Sequence, residues 1–331
     1  MGLTHIDCCF PIVVVCISMN NVQDFLNQVT TDVDDILQKD FTFTRVTNVP
    51  QVDDANLTYE SGKDKRGEEI NTCVLYVDIR NSVALNNESK TKTMGRIYTA
   101  FTKSIISAAD KCCGQVRNII GDRVMVVFPE ADCYKNAVEC AITINHIAQK
   151  IINQKLQGHD FKCGIGIDYG QMRCIKVGKI KRGAANQDNK NLVWIGRPAN
   201  MASRLCDNAN KDVQMFTVVH TVWVRPLRGP LSAPPSLLTG KLQKQSKTEE
   251  LTSEQFTELI TKSGLTSITS IEKSGDPVVR NPILISDKVY EGYKKACPED
   301  NSIKNNWWHE DNKHIRNVDF KVYGADLTWA I

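Results

Sequence analysis

The spacing of apolar residues changes period several times along this chain, and each change marks an element. Phe25, Leu26, Val29, Val33, Ile36 and Leu37 recur every three or four positions, which predicts an amphipathic helix over 22–38. Residues 39–70 turn polar, with paired aspartates and a KDKRGEE run, and read as a linker toward the main domain. From Thr72 the pattern becomes a continuous apolar run, Cys73 to Val77, as in a buried strand. Residues 88–111 then place Ile97, Phe101, Ile105 and Ala108 on one helical face. Two short strands, 116–120 and 123–128, flank Gly121-Asp122, a two-residue hairpin turn. A second long helix is predicted over 132–156, with Asp132 as N-cap and a core stripe of Ala137, Cys140, Ala141, Ile144 and Ile147. Residues 161–167 and 172–177 predict a second hairpin, turning near Tyr169-Gly170.

The order strand, helix, strand, strand, helix, strand is that of a ferredoxin-like α+β fold, the split βαβ arrangement. A polar loop, KIKRGAANQDNKN, follows Val177. After it come a short strand at 192–195 and a helix over 198–209 with Pro198 in its first turn. Residues 214–277 read as an insertion. They hold a β-rich piece at 216–224, a Pro/Ser/Gly stretch at 226–240 and a helix at 253–262. Residues 281–286 return to strand, 287–296 to helix with Asp287 as N-cap, and 318–331 look strand-like. The expected organisation is an N-terminal helix and linker over 1–70 and one domain over 71–331.

Composition narrows the function. The 331 residues carry a net charge of only +3, which gives no electrostatic case for a nucleic-acid partner. The predicted strands carry Val, Ile and Met where an RNA-binding sheet would present aromatic rings for stacking. The most apolar stretch, 8–17, is interrupted by Pro11 and is about half the ~20 residues a spanning helix needs. Ile6 stands where N-myristoylation favours Ser or Thr, and Met19 is an alternative start. Twelve scattered cysteines without a CxxC spacing suit buried thiols in a reducing cytoplasm better than a zinc site.

Two constellations carry the candidate chemistry. Asp78 ends the first buried strand, and Asp122 lies in the hairpin turn. Taken singly, one caps a segment and the other suits a turn. In a split βαβ sheet the two can converge at one sheet end. With a backbone carbonyl they make an oxygen-rich cradle for hard divalent ions that also bind phosphates. Asn200 and Arg204 are one helical turn apart and share a face. The arginine suits the charge that builds on a phosphorus centre during displacement, and the asparagine can hydrogen-bond a ribose. Alone, they are also an ordinary solvated helix face.

Four segments occur in order: VLYVDI at 74–79, IIGDRVMVVF at 119–128, GIGIDYG at 164–170 and WIGRPANMASRL at 194–205. Together they resemble the signature blocks of the class III nucleotide cyclases, the adenylyl and guanylyl cyclase family, over roughly 72–210 and less firmly over 281–331. The resemblance implies metal ligation by Asp78, Asp122 and the carbonyl of Ile79. It implies ribose positioning by Asn200 and transition-state stabilisation by Arg204. It further implies two Mn²⁺ or Mg²⁺ ions per site, a nucleoside triphosphate substrate, and a head-to-tail homodimer with sites shared across the interface.

The departures from that pattern are informative. After the first aspartate the family usually has Gly-Phe-Thr, whereas this chain has Arg80, Asn81 and Ser82, which become the phosphate-binding candidates. Adenylyl cyclases place a Lys four before the second aspartate and an Asp or Thr three before the glycine of the Asn/Arg block, and guanylyl cyclases place Glu and Cys. Here the base-selecting positions hold Asn118 and Val193, so neither purine-reading pair is present. Val193 accepts no hydrogen bond, while the Asn118 amide offers a donor and an acceptor that can match a pyrimidine edge. A basic triphosphate contact has no clear match, and Lys313, Arg316 and Lys321 are candidates. The segments TCVLYVDIRNS, VRNIIGDRVM and LVWIGRPANMASRL are similar to the Pycsar-type pyrimidine nucleotide cyclases of bacterial antiphage defence. That resemblance implies UTP or CTP as substrate and a cyclic mononucleotide that activates a separate effector protein. A purine cyclase, or a non-catalytic nucleotide sensor of the same fold, is the alternative.

Overall fold

The computed structural model describes residues 19–60, 62–80, 91–156, 161–181, 184–224, 243–262 and 267–330. They fall into two compact units, one of residues up to 44, 52–67 and 175–193, the other of 45–51, 68–174 and 194 onward. In the smaller unit, α1 (Met19–Gln38) is helical as its periodicity predicts, and its stripe of Phe25, Leu26, Val33, Ile36 and Leu37 is exposed. The polar stretch expected as a linker contains β1 (Phe41–Arg45) and the start of β2 (Lys65–Ile79). These are strands despite their polarity because ladder hydrogen bonds to a neighbouring strand, rather than burial of both faces, hold them.

The larger unit is built on a sheet whose central strands are β2, β3 (Gln115–Ile120), β4 (Arg123–Val127) and β5 (Cys163–Lys181). Their spatial order is β5-β2-β4-β3, so the first strand of the motif sits between the third and the fourth. That is the ferredoxin-like arrangement expected from the sequence. The sheet continues beyond β5 through β12 (Ile283–Ser286), β14 (Val322–Ala325) and β13 (His309–Glu310).

Strand alternation sorts side chains onto two faces. Cys73, Leu75, Val77 and Ile79 of β2 face a core shared with α2 (Thr91–Lys111) and α3 (Cys133–His146). Val74 of β2 and Met125 and Val127 of β4 face the other way, toward Ala199 and Ala202 of α4 (Arg197–Asn208). Helix α3 runs on as a π-helical segment, Ile147–Ile152. Its Asp132 is left-handed at φ 54° and makes no side-chain cap, unlike the predicted N-cap role.

Further departures from the sequence reading have identifiable causes. Strand β5 does not turn at Tyr169-Gly170. It pairs with β2 without a break from Cys163 opposite Ile79 to Cys174 opposite Glu68. Gly170 answers a close approach instead, since a methyl there would lie 2.9 Å from the Pro198 ring. The polar 179–191 run, expected as a loop, belongs largely to β5 and to β6 (Ala184–Ile195). The helix α5 (Ser253–Lys262) is as predicted, and with it a separate sheet forms in the order β10-β8-β9. Its strands are β8 (Met215–Val224), β9 (Gln243–Thr252) and β10 (Ser267–Lys273). The 226–240 stretch lies outside the described residues. Helix α6 (Asp287–Ala296) is capped by Ser286, whose Oγ accepts the Val289 N–H, rather than by Asp287. Trp308 is buried and donates to Ser302 Oγ at 3.0 Å, while Trp307 is exposed.

Helix α4 is seated unusually low on the sheet. A side chain at Gly166 of β5 would run into the Ala202 carbonyl and the Cys206 amide of the helix backbone. Gly166→Ala is therefore expected to lift α4 and to destabilise the fold by about 1–3 kcal/mol, as overpacking does, measured by urea unfolding. The thiols flanking this contact are Cys163 and Cys206, both buried, and burial pushes each up to about 12. At pH 8 only about one in ten thousand is thiolate. Both are expected to resist iodoacetamide in the folded chain, unlike the exposed Cys113, and to react on unfolding, as peptide mapping would show.

Candidate active site

Strand register brings the acidic pair to one end of the sheet. Val77 of β2 lies opposite Val124 of β4, and Ile120 of β3 opposite Arg123 of β4. Continuing that register sets Asp78 beside Arg123 and Ile79 across from Asp122. Asp122 is half-buried in a turn that Gly121 opens with φ 63°. The Ile79 side chain is buried in the helical core, so only its peptide group faces this end. Asp78 follows Val74 and Tyr76 on the opposite face of the strand, toward α4.

The Asp78 carboxylate is already engaged by two arginines. Arg123 Nη2 donates to Asp78 Oδ2 at 3.0 Å and also to Asp207 Oδ1. Its Nη1 donates to Ser203 Oγ at 3.0 Å. Arg80 Nη1 lies 3.6 Å from Asp78 Oδ2. Arg80 is otherwise committed to the C-terminal end of α4, where Nε donates to the Ala209 carbonyl at 2.8 Å and Nη2 to the Cys206 carbonyl. A cation suits that end of a helix, where carbonyls lack intrahelical partners. The guanidinium lies over Gly164, where no side chain would fit. Burial disfavours the Arg123 cation, but its bonds to Asp78 and Asp207 outweigh this and hold its pKa above the ordinary arginine value.

The other predicted residues divide by place. Asn200 is exposed and Arg204 half-buried on α4, and neither meets Asp78 within the chain. The Arg204 guanidinium makes no hydrogen bond or ion pair to any described residue, and its carbonyl accepts from Asn208. Asn118 is exposed on β3, just past a bulge at Arg117. Val193 is exposed on β6. Asn81 and Ser82 lie outside the described residues. Of the basic triphosphate candidates, Lys321 pairs with Glu310 at 2.9 Å and Lys313 lies 3.8 Å from Asp311, whereas Arg316 is exposed and has no acidic partner among the described residues.

Sequence reasoning missed Arg123, Ser203 and Asp207. Ser203 and Asp207 follow Asn200 at plus three and plus seven on α4, so the helical spacing that paired Asn200 with Arg204 also marks them. Arg123 stands next to Asp122 in the chain and reaches Asp78 across the β2–β4 ladder.

The donors at this sheet end are two carboxylates and a peptide oxygen. That hard, all-oxygen set fits Mg²⁺ or Mn²⁺. No group of three or more His, Cys, Asp or Glu gathers to hold a metal among the described residues. An ion held by these two carboxylates would take its remaining ligands from the Ile79 carbonyl and from other oxygens.

No protein-family model matches the chain. Known proteins do resemble it. A uridylate cyclase from Burkholderia cepacia is 34% identical over 180 residues, 53% of this chain and 73% of that protein. A uridylate cyclase from Gulbenkiania mobilis is 28% identical over 211 residues, 60% of this chain and 76% of that protein. Among solved structures, the adenylyl cyclase CyaB from P. aeruginosa aligns with 78% of this chain and 94% of its own, at 16% identity and a TM-score of 0.44. No helix of the described residues is long and apolar enough to cross a membrane. Sharing a third of its aligned residues across nearly three quarters of a uridylate cyclase, this chain belongs to the uridylate cyclase family and is a nucleotide cyclase.

Proposed function

We propose that the chain converts UTP to 3′,5′-cyclic UMP and pyrophosphate. The observation that carries this reading is the kinship with proteins named uridylate cyclase. The 3′-oxygen bonds to the α-phosphorus in line, the bond from that phosphorus to the bridging oxygen breaks, pyrophosphate leaves with the electron pair, and the hydroxyl proton is released. Asp78, Asp122 and the Ile79 carbonyl would hold two Mn²⁺ or Mg²⁺ ions, which supply charge neutralisation at the triphosphate and acidify the attacking hydroxyl.

The remaining roles fall to side chains of the protein. Arg204 presents its donors to the α-phosphoryl oxygens, where charge builds in the transition state. That its guanidinium meets no partner among the described residues supports this role. Asn200 hydrogen-bonds the ribose and fixes the 3′-oxygen in line. Because Asp78 meets Arg80 and Arg123 rather than Asn200 or Arg204, we assign Asn200 and Arg204 to the site of a partner subunit in a homodimer. Asn118 reads the uracil edge with an amide that both donates and accepts. Val193 adds no polar contact and so offers nothing to a purine amino group. Arg80 acts from beneath the site by orienting Asp78, and Asn81 and Ser82 contact phosphate. The product serves as a second messenger for a separate effector in antiphage defence, a role that rests on the Pycsar resemblance.

Two experiments test this reading. Incubating the purified chain with Mn²⁺ and each of ATP, GTP, CTP and UTP, with products identified by mass, should give cyclic UMP. Cyclic CMP would keep a pyrimidine reading and move the base. Cyclic AMP or cyclic GMP as the main product would overturn the roles given to Asn118 and Val193. Second, Arg204→Ala should lower kcat by about 100-fold or more, as loss of a preorganised donor does. Asp78→Ala should be inactive, and mixing the two variants should restore part of the activity. Mixed dimers without restored activity would rule out shared sites.

A further inference from the structure

Resting on the reading of Asp78 as a metal ligand, we propose that Arg123 is a tethered counter-ion that competes with the metal for Asp78 and passes to Asp207 when the metal binds. The guanidinium sits where the charge of a cation is needed, 3.0 Å from Asp78 Oδ2. It already touches a second carboxylate, Asp207, on α4. Nη2 bridges the two acids and Nη1 is held by Ser203, so releasing Asp78 leaves Arg123 with two partners. Arg80 cannot take this part. It is buried and bound to two backbone carbonyls, whereas the Arg123 side chain is 29% exposed and has room to pivot.

The arrangement has two consequences. Without metal, Asp78 never stands as an uncompensated charge in a half-buried site, which would otherwise be costly. With metal, the strengthened Arg123–Asp207 pair draws on the same helix that bears Asn200 and Arg204. Metal entry and the placement of α4 are thereby linked. Arg123 is a positioning residue here, since it acts through Asp78 and α4 rather than on the substrate.

The test is a Mn²⁺ titration of the full chain without nucleotide, reading free Mn²⁺ by electron paramagnetic resonance. Arg123→Gln removes the competitor and should tighten Mn²⁺ binding by about tenfold, the scale of one charge-assisted hydrogen bond. Arg123→Lys keeps the charge and should bind close to wild type. Asp207→Asn removes the second acceptor, leaves Arg123 on Asp78 and should weaken Mn²⁺ binding several-fold. Damage to the fold would weaken binding in every variant, so tightening separates the proposal from a merely structural role. Thermal unfolding gives a second readout, because Arg123→Gln should lower Tm without metal and recover most of the difference in saturating Mn²⁺. If Asp78→Asn abolishes Mn²⁺ binding while Arg123→Gln leaves it unchanged or weaker, the counter-ion role is overturned and the metal site stands. If Asp78→Asn leaves binding unchanged, the metal assignment falls and the proposal with it. Should Arg123→Gln fail to fold, Asp207→Asn decides, and unchanged or tighter binding there would overturn the proposal.

Discussion

The close seating of helix α4 on strand β5 is the contact on which the site depends. It requires glycine at 166, where the helix backbone occupies the space of a side chain, while glycine at 164 leaves room for the Arg80 guanidinium. Once α4 lies that low, its C-terminal carbonyls come within reach of Arg80, and its Ser203 and Asp207 within reach of Arg123. Both arginines also contact Asp78. One steric allowance in β5 thus positions the acidic end of β2 and the helix bearing Asn200 and Arg204 together.

Around Asp78 the sheet changes character from one face to the other. Ile79 and the odd positions of β2 close an apolar core against α2 and α3, which fixes the strand firmly. Asp78 projects from the same rigid strand on the opposite face, among arginines and the polar flank of α4. A side chain carried on a core strand is held more precisely than one carried on a loop. Of the two arginines that meet Asp78, Arg123 is half-exposed and Arg80 buried. Charge balance is local, with two guanidinium groups facing Asp78 and Asp207.

Much of the fold was legible in the residue pattern. The helical periods of α1, α2 and α4, the apolar run of β2 and the Gly121-Asp122 turn all read correctly, because α2, α4 and β2 each bury a distinct stripe, the turn needs a distinct backbone conformation, and α1 keeps a helical period although its stripe is exposed. The pattern misled where tertiary context overrode local signals. Tyr169-Gly170 looks like a turn, yet the glycine is there to admit Pro198, and β5 runs on through it. The stretches at 41–45 and 179–191, read as linker and loop, form strands because a pairing partner satisfies their backbone, which composition does not report. Asp287 and Ser286 are both good caps, and only the chain direction at the end of β12 selects the serine.

By itself the sequence determined the architecture of the central motif and the kind of chemistry the chain can support. Its acidic residues, its Asn/Arg helix and the residues Asn118 and Val193 are matters of residue type and spacing, which a single strand or helix expresses without help. The tertiary structure alone decided which charges meet. Asp78 and Arg80, then Arg123, then Ser203 and Asp207 come from three segments far apart in the chain, and no local spacing links one segment to another. Their encounter depends on sheet register and on how closely α4 approaches β5, distances set by packing after the elements have formed.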